Sequence, residues 1–596
     1  MPEYLAPGVY VEETSFRAKS IEGVGTSTTA FVGPTRRGPV GERSDVITSL
    51  SEFERLYGSL ENLGFADARG ANPSLNFVAH GARAYFDNGG SRLYVVRCGN
   101  GAVAASAVLR AGAAPPAPPE PDPERIAVVA RFGGASGNGR LMVREILRPA
   151  TSRTLETAPA GSVVRVTTSS GTPPSDTVTT YQKVGTAWQD EATPPNTLTV
   201  TDTIRAELVT LAVEFVDADG YSQAWEDLGL GAAHPRAVGT VLAVQPSNRA
   251  DELQNLVAFQ IGGEVTAFEL RAALAALPAV AGDTDGRREL RLAGGTDGAA
   301  PQVGAATVVG SYSHALAQLL ALEDVSIVAA PGSSAYADAQ AVQGALIAHA
   351  ESRRAYRIAV LDTPPAQTTG QVRDARGRID SRYAALYYPW VVAANPLARP
   401  GRDDIPKEIV LPPSGFVSGI YARNDVERGV YKAPANEVVR GALRFESDIN
   451  FGQQEVLNPI GVNCLRYLSG RGYRVWGARL VSSDPEWKYV SDRRYFNYLE
   501  SSIDRGTQWA VFEPNGERLW ANVRQTISDF LYNEWRNGAL LGTTVEEAFF
   551  VRCDRSTMTQ NDLDNGRLIC LIGVAIIKPA EFVIFRIGQK TADARA

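Results

Sequence analysis

Cysteine and histidine are scarce in this chain, four of each among 596 residues. Cys98, Cys464, Cys553 and Cys570 stand far apart without CxxC spacing. That excludes a small disulfide-built scaffold and leads one to expect reduced thiols. His80, His234, His314 and His349 are isolated, and none falls in HExxH or related metal-ligand spacing, so no metal is expected. An excess of positive charge is missing too: 59 Lys and Arg face 66 Asp and Glu, a net charge of −7. Affinity for nucleic acid comes largely from neutralising phosphates, so nucleic acid is not an expected partner. Long apolar runs are also absent. The strongest, LICLIGVAII at 568–577, is about half of the roughly 20 residues that span a bilayer. It reads as a buried strand, and no direct membrane insertion is expected. The start of the chain, with Glu3 and no basic-then-apolar stretch, does not read as a secretory signal.

The motifs that would announce a cofactor or a catalytic centre are equally thin. GGASGNGR at 133–140 lacks the GxxxxGK[ST] pattern and the strand-to-helix setting of a phosphate loop, so a tight turn is the plainer reading. DADG at 217–220 and DTDG at 283–286 offer carboxylates but do not continue to the glutamate of a calcium loop, and Asx-type turns are expected. Asp362, after the strand-like RIAVL, can be combined on paper with His349 and Ser333 into a hydrolase triad. Their chain order does not fit and there is no GxSxG elbow. No catalytic, cofactor-binding or metal-binding residues are therefore assigned. WKYVSDRRYFNY at 487–498 mixes basic and aromatic residues as a single-strand binder does. However, Tyr495, Tyr498 and Leu499 recur at helical spacing, which favours an inward face with Arg493 and Arg494 opening a charged one.

What is present is a chain of 44% hydrophobic residues, long enough for three to five domains at about 100–200 residues each. Residues 1–20 read as an arm in which Val9 and Val11 alternate with Tyr10 and Glu12, and the polar stretch 14–24 suits a hinge. Residues 21–110 suggest a small α/β part of the inner and middle core, with a helix from Ser49 to Tyr57. AGAAPPAPPEPDPE, within the linker 111–124, is a polyproline-like spacer. Residues 125–235, rich in Val, Thr, Gly and Pro, predict short antiparallel strands, and 236–400 alternates helices with buried strands in α/β fashion. Residues 401–580 are mixed α+β, with a helix over about 517–535 whose Leu519, Val523, Ile527, Phe530 and Leu531 share a face and whose N-cap is expected at Asn515. Residues 581–596 form a second arm, continuously apolar over Phe582, Val583, Ile584 and Phe585 before Arg586.

From about residue 410 onward the chain resembles the contractile tail sheath family of phage tails and phage-tail-like injection particles. The resemblance is carried by LPPSGFVSGIYARNDVERGVYKAPANE, NPIGVNCLRYL, GRGYRVWGARLVSSDPEWKYVSDRRYFNYLESSI, QWAVFEPNGERLW, GALLGTTVEEAFFVRCD and KPAEFVIFRIGQ. Looser matches lie upstream at YLAPGVYVEE, FVGPTRRGP, GGASGNG, LAGGTDG, ALEDVSIVAAPG and ALYYPWV. The resemblance implies a multidomain α+β chain: a subtilisin-like α/β middle domain without protease activity, a variable β-rich outer domain and a conserved inner domain. It also implies terminal strands exchanged between neighbours, which would place Val9, Tyr10, Val11, Glu12 and Phe582 to Arg586 in other subunits' sheets. Implied partners are other copies of the chain in stacked, six-membered rings, an inner tube protein, and baseplate and tail terminator or cap proteins. Assembly would occur in the bacterial cytoplasm, in a virion tail or in an injection particle kept inside the cell or released. Arg423, Asp425, Glu427, Arg428 and Lys432, with Arg493 and Arg494, are candidate contacts to neighbours or to the tube, capping and turn roles being the alternative. A hydrolase built on 236–400 and a non-contracting tube or capsid subunit are the competing functions.

Overall fold

The computed structural model describes residues 20–71, 73–111, 123–170, 175–201 and 203–587. The N-terminal arm residues Val9, Tyr10, Val11 and Glu12, and most of the proline-rich spacer, lie outside them.

An eight-stranded sheet forms the centre, in the order Glu437–Val438, Gly472–Val475, Val462–Leu468, Ala384–Tyr388, Ile358–Asp362, Ile327–Ala329, Thr29–Gly33, Leu93–Arg97. The strands from Val462–Leu468 to Leu93–Arg97 run parallel, and an antiparallel hairpin closes the other end. Five of the parallel strands are buried at every position, which is why they read as unbroken apolar runs. Alternate residues feed opposite layers. Phe31, Val95, Val360 and Tyr387 meet the helices Phe77–Asp87 and Pro413–Arg428 on one side. Val32, Val96, Leu361 and Leu386 meet Tyr312–Leu319 and Ala339–Ala350 on the other. Within the 21–110 segment, the strands Thr29–Gly33 and Leu93–Arg97 complete the sheet begun by residues 327–475. Ser49 caps the expected Leu50–Tyr57 helix by accepting the Glu52 N–H.

Between Leu93–Arg97 and Ile327–Ala329 the chain leaves the sheet and builds a β-rich unit. Its seven-stranded antiparallel sheet takes six strands from Arg140–Ala150 to Ser222–Leu228 and a seventh, Arg288–Arg291, which pairs with Arg140–Ala150. A three-stranded sheet of Ser106–Arg110, Ile126–Ala130 and Val257–Ile261 and the helix Ala267–Ala275 share its core, which runs from Ala105 to Leu292. The unit is therefore wider than residues 125–235, because its closing strands return from segments whose own pattern looks like α/β.

The C-terminal unit packs the helices Val490–Gly506 and Glu517–Arg536 with a two-stranded ribbon, Phe549–Arg552 against Leu571–Val574. Leu519, Val523, Ile527, Phe530 and Leu531 are all buried, as their spacing predicts. The N-cap, however, is Gly516. Asn515 instead accepts the Trp520 indole N–H at 2.7 Å. The run 568–577 also departs from expectation, since Leu571 and Ile572 are exposed. A two-stranded ribbon has no second layer over its outer face, so an apolar run there stays wet.

The glycines of PPSGFVSG set the approach of two helices. A Cβ on Gly415 would lie 2.6 Å from the Gly81 Cα, and one on Gly419 would lie 2.4 Å from the Tyr85 carbonyl oxygen. Both clashes are with backbone, so the helix Pro413–Arg428 would have to move off Phe77–Asp87. Gly419→Val is expected to destabilise the subunit by about 1–3 kcal/mol, the usual effect of overpacking. Gly344→Val, at an exposed helical position with open space around the Cβ, should be close to neutral, within about 0.5 kcal/mol, because valine is no worse a helix former than glycine. Thermal unfolding of the two variants beside the parent chain checks the order.

Candidate assembly surface

Polar joints hold the units together. Arg36 and Arg37 follow the strand Thr29–Gly33, while Asp217 and Asp219 follow Ala206–Val216 in the outer unit. Arg37 Nη1 lies 2.5 Å from Asp217 Oδ2, and Arg36 reaches Asp219 at 2.6 Å and Asp297 at 3.1 Å, all with side chains under a tenth exposed. Asp297 also accepts the Gly64 and Ala135 N–H groups. The glycine cluster closes this joint: a Cβ on Gly134, at φ 151°, would sit 2.4 Å from the Arg36 carbonyl oxygen. DADG is the Asx-type turn expected, with Asp217 Oδ1 accepting the Asp219 and Tyr221 N–H groups at 3.0 and 2.8 Å, and its carboxylates also receive the two arginines. DTDG is the turn its composition predicts, with Asp283 accepting the Arg287 N–H at 2.7 Å.

The second joint lies under the C-terminal unit. Arg494 forms a two-pronged pair with Asp425 at 2.5 and 2.8 Å, side chains 3% and 4% exposed. Thr26 closes it, donating its hydroxyl to Asp425 and accepting Arg494 at its carbonyl. The guanidinium also lies 4.7 Å from the Tyr421 ring centroid. Burial pushes the Asp425 carboxyl up, opposed by Arg494. One buried charge pair therefore fastens the helices Pro413–Arg428 and Val490–Gly506 to the segment that leads back to the N-terminal arm.

The remaining candidate contacts divide by exposure. Arg493 is 2% exposed. It stacks on Trp487 and Tyr383 at 4.3 and 4.6 Å and donates to Asn497 and Glu500. Arg423 donates to the Asn88 and Val438 carbonyls, and Lys432 pairs with Glu437 at 2.6 Å. Glu427 and Arg428 are exposed. Of the seven charged positions, Arg423, Asp425, Arg493 and Arg494 are thus engaged inside the subunit, whereas Glu427 and Arg428 face solvent. Arg493 and Arg494 do not open an outward charged face; aromatic rings and carboxylates within the subunit accept them instead.

The paper triad does not come together. Asp362 accepts the Ser414 N–H at 2.7 Å and the Ser414 hydroxyl at 2.6 Å, and so serves the start of the helix Pro413–Arg428. Burial pushes its carboxyl up to about 7, with the Ser414 bonds opposing. His349 Nε2 lies 2.6 Å from Arg357 Nη1, and burial and that charge push the imidazole down to about 3. Ser333 sits in the short turn Ser333–Ala335.

The C-terminal segment is the exposed feature. Phe582, Val583, Ile584, Phe585 and Ile587 are 66–96% exposed, Arg586 is exposed, and residues 581–587 carry no regular structure. The root of this segment is nevertheless fixed. Glu581 accepts Arg479 at 2.6 and 2.8 Å, Asn458 at 2.7 Å and Tyr489 at 2.9 Å. Burial acts to raise the Glu581 carboxyl, but these hydrogen bonds and the Arg479 charge hold it down at about 2. Sequence reasoning missed this clamp, although KPAEF announces a lone acid beside an apolar run.

Two predictions follow from these joints. Arg494→Met leaves the Asp425 charge buried without a partner and should cost about 3–5 kcal/mol. Arg428→Ala should stay within about 0.5 kcal/mol; urea unfolding of both compares them. For Glu581, the folded value near 2 lies below the ordinary 4.5. Its stabilisation is therefore complete above pH 4.5 and lost as pH falls towards 2. The difference in melting temperature between the parent and Glu581→Gln should be largest near neutrality and close over that window.

The phage tail sheath protein central domain matches residues 306–479, and the phage tail sheath C-terminal domain matches 482–590. A prophage major tail sheath protein of Pseudomonas aeruginosa is 25% identical over 323 residues, 53% of this chain and 77% of the relative. The tail sheath protein of Enterobacteria phage T4 is 22% identical over 177 residues, 29% of this chain and 26% of the relative. In fold, the chain is similar to the contracted sheath of the extracellular contractile injection system PVC, with TM-score 0.52, 20% identity and 99% of both chains covered. It is also similar to the contracted helical sheath of the anti-feeding prophage, with TM-score 0.51, 22% identity and 98% and 99% covered.

Proposed function

We propose, from the premise that this chain belongs to the phage tail sheath family, that it is the repeating subunit of a contractile sheath around an inner tube. The bare apolar segment at 582–587 carries the reading. Five large apolar side chains left in water on a backbone without a sheet partner are unfavourable on both counts. The Glu581 clamp keeps the segment's root in place, as a docking element requires. In the assembly, 582–587 adds as a strand to a neighbour's sheet, and Val9 to Glu12 from another subunit does the same. The acceptor is the ribbon Phe549–Arg552 with Leu571–Val574, whose Phe550, Leu571 and Ile572 are exposed.

Subunits stack as six-membered rings between a baseplate and a terminator or cap, after assembly in the bacterial cytoplasm. The finished sheath lies in a virion tail or an injection particle. Contraction is a rigid-body rearrangement in which the exchanged strands act as tethers, and the energy that drives the tube through the target envelope is stored when the sheath assembles. The central parallel-sheet unit is subtilisin-like in this reading and serves as a scaffold. Support comes from the separate engagement of Asp362 by Ser414 and of His349 by Arg357.

Electron microscopy of the chain alone and with its tube protein tests the proposal. Long hollow cylinders are expected, wide alone and narrower around the tube. Deleting residues 1–12, or Ile584→Pro, which removes a ladder donor, should leave soluble monomer. Cylinders of normal length from either variant would show that the terminal segments are not shared.

A further inference from the structure

The ribbon that precedes the C-terminal segment contains a feature unrelated to strand exchange. Its antiparallel register ends with Arg552 opposite Leu571. Continued by one residue, the same register sets Cys553 opposite Cys570, and the two thiols are close enough to act on each other's ionisation. Cys553 is fully buried in the core of the C-terminal unit, and Cys570 packs partly exposed against it. Directly opposed residues on antiparallel strands have Cα atoms about 4.5–5.5 Å apart, inside the range of about 4.4–6.8 Å that a disulfide spans. The chain between them is drawn in at its base: the Thr557 hydroxyl donates to the Ile569 carbonyl at 2.8 Å, and Thr559 and Asp562 cap the short helix Gln560–Asp564. Cys98 and Cys464 are buried in the layers of the central sheet, away from this pair.

We propose that Cys553 and Cys570 form a reversible disulfide that staples the ribbon when the subunit meets a low-molecular-weight disulfide as oxidant. The Cys570 thiolate attacks one sulfur of the oxidant RSSR, forming a mixed disulfide and releasing RS⁻. The Cys553 thiolate then attacks the Cys570 sulfur and releases the second RS⁻. The two thiol protons pass to the released thiolates, so two cysteines lose two electrons and one RSSR becomes two RSH. Burial sets the pace by pushing both thiols up, Cys570 to about 12, while Arg524 on the helix Glu517–Arg536 opposes the rise and Asp554 adds to it at Cys553. The bond closes the loop 554–569 and makes the ribbon harder to open.

The full chain is incubated with excess oxidised glutathione at about pH 8.5, where the thiolate fraction grows, then denatured, alkylated and mapped by mass spectrometry beside a reduced sample. The proposal expects alkylatable thiols to fall from four to two, with one peptide pair joined through Cys553 and Cys570 and no glutathione retained. Cys570→Ser, a change at a partly exposed site, should keep all three of its remaining thiols. Four free thiols in the oxidised parent, glutathione held on Cys570 without the internal bond, or a loss of two thiols in Cys570→Ser would each overturn it.

Discussion

A parallel sheet tolerates water on neither face, and the arrangement of this subunit answers that constraint. The backbone groups of Thr29–Gly33, Ile358–Asp362 and Ala384–Tyr388 are satisfied by their neighbours, while their side chains point alternately into two apolar layers. Each layer needs helices to cover it, and one pair must come unusually close. Gly415 and Gly419 supply that approach, letting the helix Pro413–Arg428 lie on Phe77–Asp87 with almost no side chain between them. With both faces covered, further units can attach only at strand ends and edges. The β-rich unit indeed departs after Leu93–Arg97 and returns before Ile327–Ala329.

At those attachment points the fold changes chemistry. The core of each unit is apolar, whereas arginine–carboxylate pairs mark the joints between units: Arg36 and Arg37 with three aspartates, Arg494 with Asp425, and Arg479 with Glu581. Apolar packing is non-directional and tolerates sliding, whereas a two-pronged guanidinium–carboxylate pair holds only in one orientation. Joints of this kind fix how rigid units are set against each other without merging their cores. Such a design suits a subunit that must move between lattices as a body.

The sequence was most legible where a structural decision is local. The helix around 517–535, the Ser49 cap and the buried strands RIAVL and SRLYVVRC need only their own periodicity to be recognised. Strand order was not legible, because Thr29–Gly33 lies between Leu93–Arg97 and Ile327–Ala329, and no local pattern encodes a pairing across nearly half the chain. For the same reason the outer unit's true extent was hidden. Arg493 and Arg494 misled in a different way. Helical spacing places them correctly next to Tyr495, but period alone assigns a charge to water. Trp487, Tyr383 and Tyr421 give these guanidinium groups aromatic faces inside the subunit instead. Asn515 shows the smaller error that a good capping residue can be one position out when an indole claims its oxygen.

The C-terminal segment joins these observations to function. A free apolar tail could satisfy itself by folding back on its own subunit, and the Leu571–Val574 ribbon beside it is exposed enough to receive it. Yet Glu581 is held by Arg479, Asn458 and Tyr489, so the root of the segment cannot slide and its direction is set before residue 582. A segment with a fixed root and a bare apolar length satisfies its backbone most readily on another molecule placed where that root points. Repeated at every subunit of the proposed sheath, the same geometry would give a lattice of tethers. In the proposed sheath, the charge-oriented body is the lever and the segment is the link.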